Sequence, residues 1–239
     1  MKPKDRIILA LDVPDYEEAI RIVYKFEEHI EIFKVGSELF TAVGPEIIKK
    51  INSMGKKVFL DLKFHDIPNT AAKSAAAVAR LGVFMFNVHT LGGLEMMRKA
   101  AEAIRKISLD ENIERPKLIG VTILTSMDQA ALKDELGIEM RMGVQVKHLA
   151  GLAQRAGLDG VVAAPVDAEN IRAHFGKDFL IVTPGIRPSW ASADDQKRML
   201  TPKEALRRGA DYLVIGRAIL SQPDPVRALK RIEEEIKGF

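Results

Sequence analysis

Residues 59–70 read FLDLKFHDIPNT, and they contain one structural unit in miniature. The run Val58, Phe59, Leu60 reads as a buried strand, where charge is costly unless it is paired. Side chains alternate along a strand, so Asp61 and Lys63 share one face while Leu60 and Leu62 take the other. Pro68 then suits the first position of a helix, where its missing N–H costs nothing. The stretch is a strand that carries its charges to its C-terminal end and turns into a helix.

That unit recurs along the chain. Apolar or β-branched runs stand at 7–13 (IILALDV), 30–36 (IEIFKVG), 57–63 (KVFLDLK) and 84–90 (FMFNVHT). Four more follow at 117–124 (KLIGVTIL), 160–165 (GVVAAP), 179–186 (FLIVTPGI) and 212–219 (YLVIGRAI). Between them lie segments of helical period, such as DYEEAIRIVYKFEEH and GLEMMRKAAEAIRKI. Pro14-Asp15, Pro68-Asn69 and Thr201-Pro202 supply helix starts, while Gly82 and Gly209 sit where helices should stop.

Strands alternating with helices predict an α/β protein with a parallel sheet. A count of eight within 239 residues favours a closed eight-fold β/α (TIM) barrel over an open doubly wound sheet. With no linker or low-complexity segment, the expectation is a single domain over 1–239. The interval 125–159 has room for two helical pieces. The interval 187–200, RPSWASADDQKRML, is polar and aperiodic, and reads as a long loop suited to a binding lid.

Composition narrows the function classes. Hydrophobic residues at 47% suffice for one large core, and a net charge of +3 from 36 basic and 33 acidic residues is nearly balanced. Short basic pairs such as Lys49-Lys50 read as solvated helix faces, so no nucleic-acid partner is expected. No stretch approaches the roughly 20 apolar residues of a membrane helix, and no signal peptide is readable. Cysteine is absent, which removes disulfides, thiolate metal sites and a cysteine nucleophile and fits a reducing cytoplasm. No histidine pair has metal-ligand spacing and no Ser/His/Asp set is readable. Gly92-Gly93 lacks the dinucleotide spacing, so neither metal nor nicotinamide cofactor is expected.

In α/β barrels the working face lies at the C-terminal ends of the strands. Reading those ends in order gives Asp12, Lys34, Asp61 with Lys63, Asn87 with His89, then Thr125 and Ser126. Pro165 closes the sixth run, Pro184 to Arg187 the seventh, and Gly216-Arg217 the eighth. Asp12, Lys34, Asp61 and Lys63 carry two charges of each sign on three successive strands, a self-compensating array suited to a dry site. Taken singly, Asp12 would read as a helix cap and Lys34 as a surface lysine. His65 reads as a structural histidine facing away from Asp61 and Lys63, and His89 is open between the two readings. Gly216 lets a ligand approach the backbone, and Arg217 beside it suits a bidentate phosphate clamp that Gln196 could join.

DLKFHDIPNT, together with VTILTS, PGIRP, DQKR and VIGRAI, resembles the bacterial type of the orotidine 5′-phosphate decarboxylase family from LALDV to IGRAI. The resemblance implies cofactor-free conversion of orotidine 5′-phosphate to uridine 5′-phosphate by a homodimer with shared active sites. By position, Lys63 matches the lysine that protonates carbon 6, Asp61 the carboxylate near the substrate carboxylate, and Lys34 the outer lysine of the array. Asp12 matches the ribose contact, and Asp66 and Thr70 match residues the partner subunit donates. Thr125 and Ser126 match the pyrimidine-contacting pair; Pro184 lies beside Arg187, which with Gln196, Gly216 and Arg217 matches the phosphate set. Ala218 departs from the proline common there, without touching a catalytic role. The alternatives are a magnesium-dependent lyase or decarboxylase of sugar phosphates on a related barrel, and a non-catalytic phosphate-binding barrel.

Overall fold

Each of the eight apolar runs forms a strand, and the strands close on one another in chain order. The computed structural model describes residues 3–191 and 199–239. The strands are β1 (Ile7–Leu11), β2 (Ile32–Gly36), β3 (Lys57–Phe64), β4 (Met85–His89), β5 (Lys117–Val121), β6 (Gly160–Val162), β7 (Leu180–Thr183) and β8 (Tyr212–Ile215). All neighbours pair in parallel, and β8 returns to β1 with Ile8 beside Val214. The chain is a single-domain α/β barrel with helices around it.

Two apolar layers hold it together. Outward residues of the strands, such as Leu9, Phe33, Leu60 and Phe86, pack against the helices. Each such fully buried side chain contributes roughly 1.5–3 kcal/mol relative to exposure. Inside the barrel, Ile8, Ile32, Phe59, Met85, Ile119 and Val182 fill the lumen, so it is a packed core and no pore. The helix Pro68–Arg80 buries Ala71, Ala75, Val78 and Ala79, and these small side chains let it pack closely on Gly93–Asp110.

Helix ends follow the local chemistry. Asp15 caps its helix by accepting the Glu18 N–H at 2.8 Å, and Thr201 with Glu204 forms a full capping box. Gly82 and Gly209 take φ of +69° and +97°, left-handed values that end the preceding helices. The interval 125–159 holds two helices, Gln129–Asp134 and Met142–Arg155.

The strands differ in length from the apolar runs. The run 212–219 is not one strand: β8 stops at Ile215, and Arg217–Leu220 is a short helix whose Ile219 and Leu220 N–H groups bond to the Gly216 carbonyl. Pro165 begins a 3₁₀ turn after β6, and Pro184 follows β7, because proline has no N–H for a ladder. Of the loop after β7, residues 192–198 lie outside the described residues; Ile186 bridges Leu200 across it. Among the described residues, no helix is long and apolar enough to cross a membrane.

Candidate active site

The inward rows of the first four strands change from apolar to polar near their C-terminal ends. Ile8 and Ala10 lead to Asp12, Ile32 to Lys34, Phe59 to Asp61 and Lys63, and Met85 to Asn87. The two-residue period of a strand keeps each polar group on the face of its apolar predecessor. The inner core therefore becomes the floor of a charged site, with regular strand geometry kept as far as Asp61 and lost at Lys63.

The four charges form one alternating line. Lys34 Nζ donates to Asp12 Oδ1 at 2.7 Å and lies 3.6 Å from Asp61 Oδ2. Lys63 Nζ lies 2.9 Å from Asp61 Oδ1. The Lys34 side chain is 9% exposed and that of Asp61 15%, so this is a desolvated pair of the kind that must be mutually satisfied. Burial alone would push the Asp61 carboxyl up. The charges of Lys34 and Lys63, with hydrogen bonds from Asn87 and Lys63, overcome it and hold the group below its ordinary value. Asp61 is an anion held between two cations.

The end of β3 is irregular at this point. Leu60 sits beside Phe86 and Phe64 beside Val88, so four steps on β3 oppose two on β4. Within that bulge Lys63 has φ +52°, a left-handed value that costs a non-glycine residue of order 1–3 kcal/mol. Asn87, fully buried on β4, spans the gap. Its Oδ1 accepts the Lys63 N–H at 2.7 Å, and its Nδ2 donates to Asp61 Oδ1 at 2.7 Å. Sequence reading placed Asn87 on the rim and assigned it no role. Its place two residues after Met85 on the inward row was the available signal.

A cavity of about 300 Å³ opens above this line. Asp12, Lys34, Asp61 and Lys63 line it from β1 to β3; Thr125 and Ser126 lie beyond β5; Pro184 and Arg187 follow β7, and Gly216 and Arg217 follow β8, next to β1. Phe59, Val162 and Val214 supply an apolar floor that sequence reading did not single out. A Cβ at Gly216 would stand 3.1 Å from the Ala10 Cβ, so glycine there keeps β1 and β8 close at the rim. The volume, apolar floor and few convergent polar groups are those of a small-molecule site.

Not every expected residue converges here. Asp66 and Thr70 are exposed and do not line the cavity; Asp66 Oδ1 accepts the N–H of its neighbour Ile67 at 2.6 Å. Gln196 lies outside the described residues. His65 is exposed just past the end of β3, so strand alternation does not decide where it faces. Its ring stacks on His89 at 5.5 Å between centroids. Among the described residues, no three His, Cys, Asp or Glu side chains gather as a metal site requires.

Charge also occurs at the opposite, N-terminal face, where strand beginnings are otherwise mostly apolar. Asp159 accepts the Leu118 N–H at 2.7 Å and pairs with Arg115, and Asp211 accepts the Ile181 N–H at 2.8 Å and pairs with Arg172. These carboxylates satisfy strand N–H groups, which is a structural task.

His89 yields a prediction for stability. Burial, then the charges of His65 and Lys63, lower its imidazole to about 4. An unfolded chain would bind that proton near pH ~6.5, so the unfolded state gains protons first as pH falls. The stability associated with neutral His89 is thus present above about pH 6.5 and lost as pH drops toward about 4. Melting temperatures of His89→Gln should fall less steeply over that window than those of the parent. Parallel curves would exclude the assignment.

The family model described as "Orotidine 5'-phosphate decarboxylase / HUMPS family" matches residues 5–232. A relative named orotidine 5′-phosphate decarboxylase from Moorella thermoacetica is 50% identical over 237 residues, covering 99% of this chain and 94% of its own length. Its namesake from Nitrosococcus oceani is 51% identical over 235 residues, covering 98% of this chain and 99% of its own. The crystal structure of orotidine 5′-phosphate decarboxylase from Lactobacillus acidophilus superposes with a TM-score of 0.85 at 37% identity, covering 98% of this chain and 100% of that one. The charged line across β1 to β3 thus sits in a chain that matches these proteins from end to end, and the chain belongs to the orotidine 5′-phosphate decarboxylase / HUMPS family.

Proposed function

We propose that this chain decarboxylates orotidine 5′-phosphate to uridine 5′-phosphate, the last step of UMP synthesis, without a cofactor. The observation that carries the reading is the line Asp12, Lys34, Asp61, Lys63 beside a cavity that Arg187 and Arg217 also line. In the reaction the bond between carbon 6 and the carboxylate breaks and carbon dioxide leaves. The electron pair stays on carbon 6, in the plane of the ring, where the π system cannot take it up. A fixed ammonium is the chemical answer, because it attracts the developing charge and then transfers its proton to carbon 6.

Lys63 is the proposed donor, with Asp61 at 2.9 Å as the carboxylate that orients it. Lys34 holds Asp61 from the other side as the outer lysine of the array, and Asp12, paired with Lys34, would contact the ribose. Thr125 and Ser126 would contact the pyrimidine. Arg187, Gly216 and Arg217, with Gln196 and adjacent Pro184, would grip the phosphate, remote binding energy that holds the ring against Lys63. Loss of absorbance as purified protein consumes orotidine 5′-phosphate tests the reading, and turnover should persist in excess EDTA. No turnover would refute it, and turnover only of sugar phosphates with magnesium would establish the rival.

The reading extends to a cytoplasmic homodimer with shared sites, engaging neither nucleic acid nor membrane. Asp66, Ile67 and Thr70 support it: they are exposed just past the end of β3, and Ile67, at 67% exposure, presents an apolar side chain that a partner subunit would cover. Leu91 and Leu94, after β4, are also exposed. Mixing inactive Asp66→Ala protein with inactive Lys63→Ala protein should restore part of the activity, since one hybrid site per dimer is intact. No recovery despite demonstrated subunit exchange would argue for self-contained sites.

A further inference from the structure

Asn87 is fully buried, uncharged, and bonded at both ends to the charged line. Its two partners belong to different parts of β3: the backbone N–H of Lys63 and the carboxylate of Asp61. The bulge explains the need. Between Leu60 and Phe64 the β3–β4 register shifts, so the ladder cannot supply partners for the intervening groups. Lys63 stands there at φ +52°, a conformation a lysine keeps only when its surroundings impose it.

We infer that Asn87 is a positioning residue for the decarboxylation proposed above, clamping the Lys63 backbone and the Asp61 carboxylate together so that the ammonium stands at one point over the cavity. The inference rests on that reading for its chemistry and on the two 2.7 Å hydrogen bonds for its geometry. An amide suits the task because it presents an acceptor to the N–H and a donor to the carboxylate. A carboxylate in its place would still accept from Lys63 but would set a second negative charge against Asp61. An apolar side chain would leave both partners unmet.

The test uses the full chain with Asn87→Ala and Asn87→Asp, assayed for orotidine 5′-phosphate turnover and for exchange of the Lys63 amide hydrogen. For Asn87→Ala, kcat should fall about 100-fold, the scale of an ångström-sized misplacement, while KM changes by less than about threefold. Exchange at Lys63 should accelerate. Asn87→Asp should recover activity as pH falls, since a protonated carboxyl again donates to Asp61, whereas the parent shows no such gain. A kcat for Asn87→Ala within about threefold of the parent would overturn the inference. Should Asn87→Ala fail to fold, the pH profile of Asn87→Asp decides, and a profile parallel to the parent's overturns it. If the parent itself does not turn over the nucleotide, the functional reading fails. Unchanged Lys63 exchange in the variants would then overturn the clamp separately.

Discussion

Replacing Lys63 with alanine should lower kcat for orotidine 5′-phosphate by at least about 10⁴-fold, roughly 5.5 kcal/mol of transition-state stabilisation. The magnitude follows from the two tasks proposed for one ammonium, electrostatic stabilisation at carbon 6 and proton delivery to it. Alanine would also leave Asp61 with Lys34 at 3.6 Å as its remaining cation, together with the Asn87 amide. Lys63 is 38% exposed, so the variant should stay folded and should bind uridine 5′-phosphate, which carries no carboxylate to be expelled. Single-turnover assays and calorimetry with the product would check both halves. Activity within about tenfold of the parent would remove Lys63 from the chemistry.

The second large effect is expected at Arg217. Arg217 lines the cavity beside the Asp12 end of the charged line, exposed at the start of the short helix after β8. As a phosphate clamp it would act through a part of the substrate that does not react, and such remote binding is used to hold the reacting atoms in place. Arg217→Ala should therefore reduce kcat/KM for the nucleotide by about 10²–10³-fold, some 3–4 kcal/mol, while leaving the slow turnover of the bare nucleoside nearly unchanged. Equal losses on both substrates would show that Arg217 serves something other than the phosphate.

These two residues were legible in the sequence for different reasons. Lys63 follows Asp61 by two positions, a spacing that predicts one face on a regular strand; in the bulge the 2.9 Å ion pair with Asp61 is what brings them together. Arg217 follows a glycine at the end of the last strand, where barrels commonly hold phosphate. The last run is shorter as a strand than its pattern suggests, since YLVIGRAI looks apolar to its end while a helix begins at Arg217. Apolar character marks burial, and a buried helical turn satisfies it as well as a strand does. Asp66 illustrates another limit. It stands five residues from Asp61, yet the end of β3 at Phe64 leaves it exposed and out of the cavity.

The sequence by itself determined the alternation of eight strands with helices, the helix starts at Asp15, Pro68 and Thr201, and the gathering of charge at the C-terminal rim. All of these depend on local geometry, the two-residue period of strands and the unpaired N–H groups of a helix start, which a chain carries wherever it folds. Only the tertiary structure decided the order of the ion pairs, the lengths of the strands, the register shift between β3 and β4, and the link from Asn87 to both Asp61 and Lys63. Register is a relation between segments some 25 residues apart, and a bulge changes which groups meet without altering either segment's pattern. The spacing within β3 delivers a lysine to the rim; packing against β4 sets where its ammonium stands.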